Sequence, residues 1–303
     1  LDAVLGKIRD GGALGEEDWQ ALTETRELIP LGVAADDTRR RRHGETVTFV
    51  RVLEVPVAEV RADLWEPEPE TGASWPGPAT EIRMTGCPTS RDEALVAVRR
   101  LVECAGSVPV TAFAGQDLLA LCDGDVLAFG GFLSELRDAG VALVSELSVD
   151  SLEEPGPVFH AFGMSEVSVG RLMRHASEGT DLVAVPRRVA SWSDAGTVCR
   201  SFAPLPCVES IPPSTGYTDL RQVALARLLV DNIDSIQVDW SRYGQKLAQV
   251  ALTFGANDVD AVSVAGAGEQ GWRRSPLEEI RRNIAAAGFE AVPRNGRFER
   301  LLA

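Results

Sequence analysis

The chain has 303 residues, of which 45% are hydrophobic and 25% charged, and its formal net charge is −15. That length buries a large core in one barrel-sized domain or two smaller ones, and the acidic balance repels a polyphosphate backbone, so no nucleic-acid partner is expected. No apolar run approaches the roughly 18 residues of a membrane span, and no basic, apolar, small-residue leader opens the chain. With five scattered cysteines suited to reduced thiols, a cytoplasmic protein without membrane contact is expected.

Residues 1–44 read as helices. LDAVLGKIRDGG ends on paired glycines, EEDWQALTE opens on acids, and ELIPLGVAADDTRRRRHG closes in cations, an order that suits the helix dipole. Arg39, Arg40, Arg41 and Arg42 then read as a solvated helix end. The first strand is ETVTFVRV, Glu45 to Val52. Residues 53–80 are expected to form a loop, rich in proline and glutamate from residue 66 onward.

From Glu81 a strand–helix cadence sets in. EIRMTG is a strand, SRDEALVAVRRLVECAG a helix opened by Ser90 and closed by Gly106, and SVPVTAFAG the next strand. GGFLSELRDAGVALVSELSVDS repeats the unit. VAVPRRVASWSDAG then reads as a helix. From Asp219 to Val264 the periodicity gives helix, strand, helix, strand: Leu220, Val223, Ala224, Leu228 and Leu229 share a helical face, and Ile236, Val238 and Trp240 alternate. Leu247, Ala248, Val250, Ala251 and Phe254 face inward from the second helix, which Gly255 stops. The last helix begins in a capping box, Ser275 and Glu278, and stops at Gly288. Such units predict a parallel sheet with helices outside it.

Several of these segments resemble one family. ARLLVDNIDSIQVDW and KLAQVALTFGANDVD are similar to the C-terminal third of the radical S-adenosylmethionine family of aminofutalosine synthase, dehypoxanthine futalosine cyclase and the deazaflavin-precursor synthases. CRSFAPLP resembles that family's strand FxxFIPL, and FHAFGMSEVSVGRLMRHA, Phe159 to Ala176, resembles its strand end GHxExxxxRxxH, matching at Gly163, Glu166 and Arg171 with Met164 in the histidine's place. The resemblance implies a TIM-like (β/α) barrel over residues 45–303, preceded by an N-terminal helical segment over 1–44, with the family's C-terminal region at 205–303. It also implies a menaquinone (futalosine pathway) setting. In the family, S-adenosylmethionine and an iron–sulfur cluster are the cofactors, the cluster being held by CxxxCxxC after the first strand. LEVPVAEVRADLWEPEPETGASWPGPAT stands there instead, without a cysteine. A cluster needs protein thiolates on three irons. Neither cofactor is therefore expected here, nor any other, and the barrel is expected to be incomplete or distorted.

The chemistry of such a barrel lies at the C-terminal strand ends. Gln237 and Asp239 alternate with the apolar face of their strand, so they either line the mouth or form a polar layer closing the barrel. Asp258 and Asp260 flank a strand start, where turn formation by Asn257 and Asp258 is the preferred reading over catalysis. The family continues DGTV at this point; here Asp260, Ala261 and Val262 follow one another. His160, Glu166 and Arg171 form the best polar cluster, able to bind a carboxylate or move a proton, with His160 equally readable as a core residue. Cys87, between Gly86 and Pro88, reads as an inert thiol before a nucleophile. AGAGEQG is only half of a phosphate-binding loop.

Two functions follow. One is an accessory protein, the partner of a cluster-bearing paralogue. The other is a non-radical enzyme that binds a small anionic ligand, nucleoside-like or an aromatic carboxylate, at the barrel mouth. Its site would draw on His160, Gly163, Glu166, Arg171, Gln237, Asp239, Asp258 and Asp260, with Glu166, Arg171 and Asp239 as the catalytic candidates.

Overall fold

The computed structural model describes residues 1–60, 78–175, 182–206, 215–264 and 275–301. Three helices come first: Asp2–Arg9 (α1), Glu16–Glu24 (α2) and Leu28–His43 (α3). The strands are Thr46–Pro56 (β1), Glu81–Thr85 (β2), Val110–Ala114 (β3), Val141–Ser148 (β4), Val169–His175 (β5), Cys199–Leu205 (β6), Ser235–Asp239 (β7), Asp258–Ser263 (β8) and Glu290–Pro293 (β9). Interleaved with them run Arg91–Ala105 (α4), Gly115–Ala120 (α5), Val126–Asp138 (α6), Pro155–Ser165 (α7), Ala184–Ala190 (α8), Ala195–Val198 (α9), Gly216–Leu229 (α10), Trp240–Leu252 (α11) and Pro276–Ala286 (α12).

Strands β1 to β8 pair side by side in parallel, and β8 returns to β1, closing a TIM-like barrel. Strand β1 is 11 residues long because one of its edges serves two neighbours. Val52 to Pro56 pair with β2, and Thr46 to Phe49 pair with β9. The strand thus outruns the predicted limit at Val52. Glu54 and Pro56 have the composition of a loop, yet Val55 and Val57 are buried and β2 pairs only along this extension.

All eight strands of the barrel are present, and the irregularity lies in the helical wall. Among the described residues between β5 and β6 stand only α8, of 7 residues, and α9, of 4. The stretch read as a cofactor-loop replacement, 66–80, lies outside the described residues up to 77. Phe159 to Ser165 belong to helix α7 rather than to a strand end. Pro155 starts that helix, Glu166 ends it with φ +57°, and the strand begins only at Val169. The apolar periodicity of Val158, Phe159, Ala161 and Phe162, all buried, is helical.

Core packing sits between strands and helices. Phe129 and Phe162 meet edge to face at 5.4 Å where α6 and α7 cover β4. The N-terminal helices join this layer through α3, whose Gly32 leaves room for the Phe254 ring. Arg39 is not part of a solvated helix end. It is fully buried, its Nε donates to Asp36 at 3.1 Å, and its guanidinium lies 4.0 Å from the centre of the Phe289 ring. Arg40, Arg41 and Arg42 do remain exposed. Val250, expected to face inward on α11, is 41% exposed. Among the described residues no helix is long and apolar enough to cross a membrane.

Two backbone positions carry testable costs. Gly255 has φ +107°, and a Cβ there would stand 2.7 Å from the Cβ of Arg227. Gly255→Ala is expected to lower stability by roughly 2–3 kcal/mol in urea denaturation, combining overpacking with an unfavourable φ. Ala261 sits in a β-bulge at φ +55°, where β8 gains a residue against β1. Ala261→Gly is expected to stabilise by about 0.5–1 kcal/mol in the same measurement, because glycine adopts this conformation without the Cβ penalty.

Candidate functional site

Strand alternation sends every second side chain into the barrel, and here many of those side chains are charged. In most barrels of this kind branched aliphatic residues fill that space. Register sets the neighbours. Glu146 lies beside Arg171, Gln237 beside Asp258, and Asp239 beside Asp260.

Arg83 donates from Nη1 and Nη2 to the two carboxylate oxygens of Asp260 at 2.9 and 2.8 Å, and from Nε to Glu81 at 2.8 Å. Arg171 donates from Nε and Nη2 to Glu146 at 3.0 and 2.7 Å, and from Nη1 to both Asp239 and Asp260 at 2.9 Å. At the N-terminal end of the strands, Arg294 grips Asp258 through Nε and Nη2, both at 2.7 Å, while Gln237 Nε2 donates to the same carboxylate at 2.7 Å. The Phe298 ring closes over Arg294 at 3.8 Å. Asp239 has a second task as the N-cap of α11, accepting from the Ser241 and Arg242 backbone N–H groups at 3.0 and 3.1 Å.

Three guanidiniums thus face five carboxylates, Glu81, Glu146, Asp239, Asp258 and Asp260. Burial disfavours the Asp260 carboxylate, but Arg83 and Arg171 outweigh it and hold its pKa well below the usual carboxylate range. Burial likewise opposes the charge on Arg83 and Arg171, and their carboxylate partners reverse this, raising both. The space left among these side chains is about 10 Å³, room for one water at most. Ser145 Oγ and the Gln237 carbonyl oxygen, both buried, have no hydrogen-bond partner there.

Of the residues named from the sequence, the fold gathers Arg171, Gln237, Asp239, Asp258 and Asp260 in the lumen. It does not bring His160, Gly163 or Glu166 to them. His160 and Gly163 lie exposed on α7, outside the barrel, and the Glu166 side chain, 82% exposed, stands 3.5 Å from Arg137. The motif match placed these three at a strand end, whereas the chain there is still helical. The turn reading of Asn257 and Asp258 also fails. Asn257 is buried and accepts from the Ile236 backbone N–H at 2.8 Å and from Arg227, and Asp258 is fully buried.

Sequence reasoning missed Glu81, Arg83 and Arg294. The signal for the first two was present: Glu81 and Arg83 alternate with Ile82 and Met84, as lumen-facing residues must. Nothing local marked Arg294, which reaches the lumen only because β9 pairs with β1.

The donor set does not suit an iron–sulfur cluster. The described cysteines are Cys87 after β2, Cys104 on α4, Cys122 after α5 and Cys199 on β6, and no cysteine stands between β1 and β2 in the sequence. Burial raises the pKa of Cys87, Cys122 and Cys199, with Asp117 and Glu93 adding to the effect at Cys87, so these groups favour the thiol over the ligating thiolate. Among the described residues no group of three or more His, Cys, Asp or Glu is placed to hold a metal ion.

Comparison with known proteins places this barrel. It superimposes on methylornithine synthase with a TM-score of 0.62, covering 95% of this chain and 97% of that one at 14% identity. The FeFe-hydrogenase maturase HydG from Carboxydothermus hydrogenoformans gives the same TM-score over 96% of this chain and 78% of that one, also at 14% identity. The fold is thus the barrel that these two proteins share.

Sequence narrows this further. Residues 205–302 match the family model of the CofH/MqnC C-terminal region. The chain is 24% identical to aminodeoxyfutalosine synthase of Thermus thermophilus, over 87% of this chain and 84% of that protein. It is 22% identical to 5-amino-6-(D-ribitylamino)uracil–L-tyrosine 4-hydroxyphenyl transferase of Methanosphaerula palustris, over 86% and 85%. Across most of its length the chain is thus a divergent relative of these enzymes, and its C-terminal region matches the CofH/MqnC model.

Because Asp260 is shared by two arginines, Asp260→Asn is expected to cost roughly 3–5 kcal/mol, the range for breaking a buried ion pair. The pH dependence has a definite sign. A carboxylate whose folded pKa is depressed stabilises the fold above its unfolded pKa of about 4 and loses that contribution as pH falls through the folded value. Wild-type stability should therefore decline below pH ~4, and Asp260→Asn should flatten the decline. Urea titrations at stepped pH measure both effects.

Proposed function

We propose that this chain acts without the S-adenosylmethionine cleavage of its relatives, as an accessory protein that partners a cluster-bearing enzyme of the same family. The observation that carries the reading is the filled lumen. Arg171, the guanidinium that an anionic ligand would seek, already donates to Glu146, Asp239 and Asp260, and the space beside it is about 10 Å³. An incoming carboxylate would meet an excess of negative charge there. The absence of CxxxCxxC after β1 and the raised thiol pKa values support the same reading from the cofactor side. Names among the relatives, aminodeoxyfutalosine synthase and the tyrosine 4-hydroxyphenyl transferases, indicate the kind of enzyme the partner would be.

Anaerobic reconstitution with iron and sulfide is expected to give no broad visible absorbance and no paramagnetic signal on reduction. Calorimetric titration with nucleosides and aromatic carboxylates is expected to give no heat, and co-expression with a cluster-bearing paralogue is expected to yield a complex. A stoichiometric cluster lost in Cys87→Ala overturns the cluster-independent reading. Ligand binding weakened by Arg171→Ala, with no paralogue bound, would establish the non-radical enzyme instead.

A further inference from the structure

A groove of about 460 Å³ runs along the outside of the barrel between α6 and α7. It is lined by Leu127, Gly130 and Gly131 from one helix and Pro157, Ala161 and Met164 from the other. The two helices approach closely at its floor, where a Cβ on Gly130 would stand 3.6 Å from that of Ala161. Leu127 is 87% exposed and Met164 72%, two large apolar side chains standing on the banks of a channel floored by small residues. Leaving such surfaces in water is unfavourable, and contiguous exposed apolar patches mark interaction sites. From Val126 to Ser134 the groove is about 12 Å long, the length of two to three helical turns. Those dimensions fit the packing of a third helix, with methionine adapting to its side chains.

Charge at the two ends decides what that helix is. Asp123, Asp125, Glu153 and Glu154, all exposed, precede the N-termini of α6 and α7 at one end. At the other, exposed Asp138 and Glu166 flank Arg137, which already donates to Asp138 at 2.9 Å and to the Ser165 carbonyl at 2.8 Å. A second copy of this chain would set one acidic rim against another, and an anionic bilayer would be repelled as well. We infer that the α6–α7 groove docks a cationic amphipathic helix from another protein, with its apolar stripe on Leu127 and Met164 and its lysines or arginines over the acidic ends. The groove lies outside the barrel, so the inference goes beyond the reading of the lumen and does not depend on it.

The test uses the full chain and a labelled 16-residue helical peptide of leucine and lysine, with leucines at i, i+3, i+4 and i+7, read by fluorescence anisotropy. Saturable binding is expected. It should weaken at least tenfold in Met164→Glu and in Gly130→Leu, and severalfold, with a shallower salt dependence, when Asp123, Glu153 and Glu154 are changed to Asn, Gln and Gln. Met164 is exposed, so its variant should melt like the wild type, which keeps the comparison interpretable if Gly130→Leu perturbs the helix pair. Equal binding of a scrambled peptide, or an unchanged affinity in Met164→Glu, overturns the proposal. So does a concentration-dependent dimer in light scattering that Met164→Glu dissolves, which would assign the groove to a second copy. Co-sedimentation with phosphatidylglycerol vesicles that Met164→Glu abolishes would assign it to a membrane and equally overturn it.

Discussion

Asp260 holds the inside of this barrel together. One carboxylate receives two N–H groups from Arg83 and one from Arg171, so strands β2, β5 and β8, no two of which are paired, are tied at a single point. Each neighbour extends the tie. Arg83 engages Glu81 on its own strand, and Arg171 carries the network to β4 through Glu146 and to β7 through Asp239. A buried charge is tolerable only when paired and hydrogen-bonded, so these groups constrain one another's positions far more than an apolar filling would. The bidentate geometry between Arg83 and Asp260 adds direction, since a guanidinium fork fits a carboxylate in one plane.

Stability and specificity are divided between two layers in consequence. The apolar layer between strands and helices, with Phe129, Phe132, Phe162 and Phe202 almost fully buried, supplies the favourable transfer of nonpolar surface. The lumen supplies little net energy, because desolvation consumes most of what its ion pairs gain. It does limit the register, since a strand slipped by one residue would turn its charged side chains outward into the apolar layer. Arg294 completes this arrangement from outside the eight-strand cycle. It enters through β9, pairs with Asp258, and is covered by Phe298, so the N-terminal end of the barrel is plugged by the last turns of the chain.

Much of this was legible from residues alone, and the failures have physical causes. Most of the helices and strands after Glu81, though not α5, α7 or β9, followed from periodicity and caps, because Ser90, Ser275 and Gly288 each act where their chemistry allows. Gln237 and Asp239 could be placed in the lumen because they alternate with Ile236 and Val238 on a strand. His160 and Glu166 were misplaced because a motif match was given precedence over the helical spacing of Val158, Phe159, Ala161 and Phe162. Arg39 was misread for a different reason. Its burial depends on Phe289, 250 positions away in sequence, and no local pattern encodes that contact. Arg294 belongs with it, since its role depends on a strand pairing that the chain forms only at its far end.

The charge imbalance of the lumen limits its chemistry. The two acids in excess are best identified with its upper members, Glu146 and Asp239, which Arg171 serves together with Asp260. The Glu146 side chain is 25% exposed and those of Asp239 and Asp260 only 4% and 1%, so the accessible part of the imbalance faces the C-terminal strand ends. An anion arriving there must compete with three carboxylates for Arg171, and a carboxylate that yields its place gives up an ion pair, which opposes the exchange. A cation or a hydrogen-bond donor faces no such exchange, and Asp117 nearby, its pKa raised by burial and then by Glu146, makes the rim still less hospitable to negative charge. The same guanidinium that resembles an anion-binding residue in the sequence is, in the fold, already engaged by three carboxylates of the protein itself.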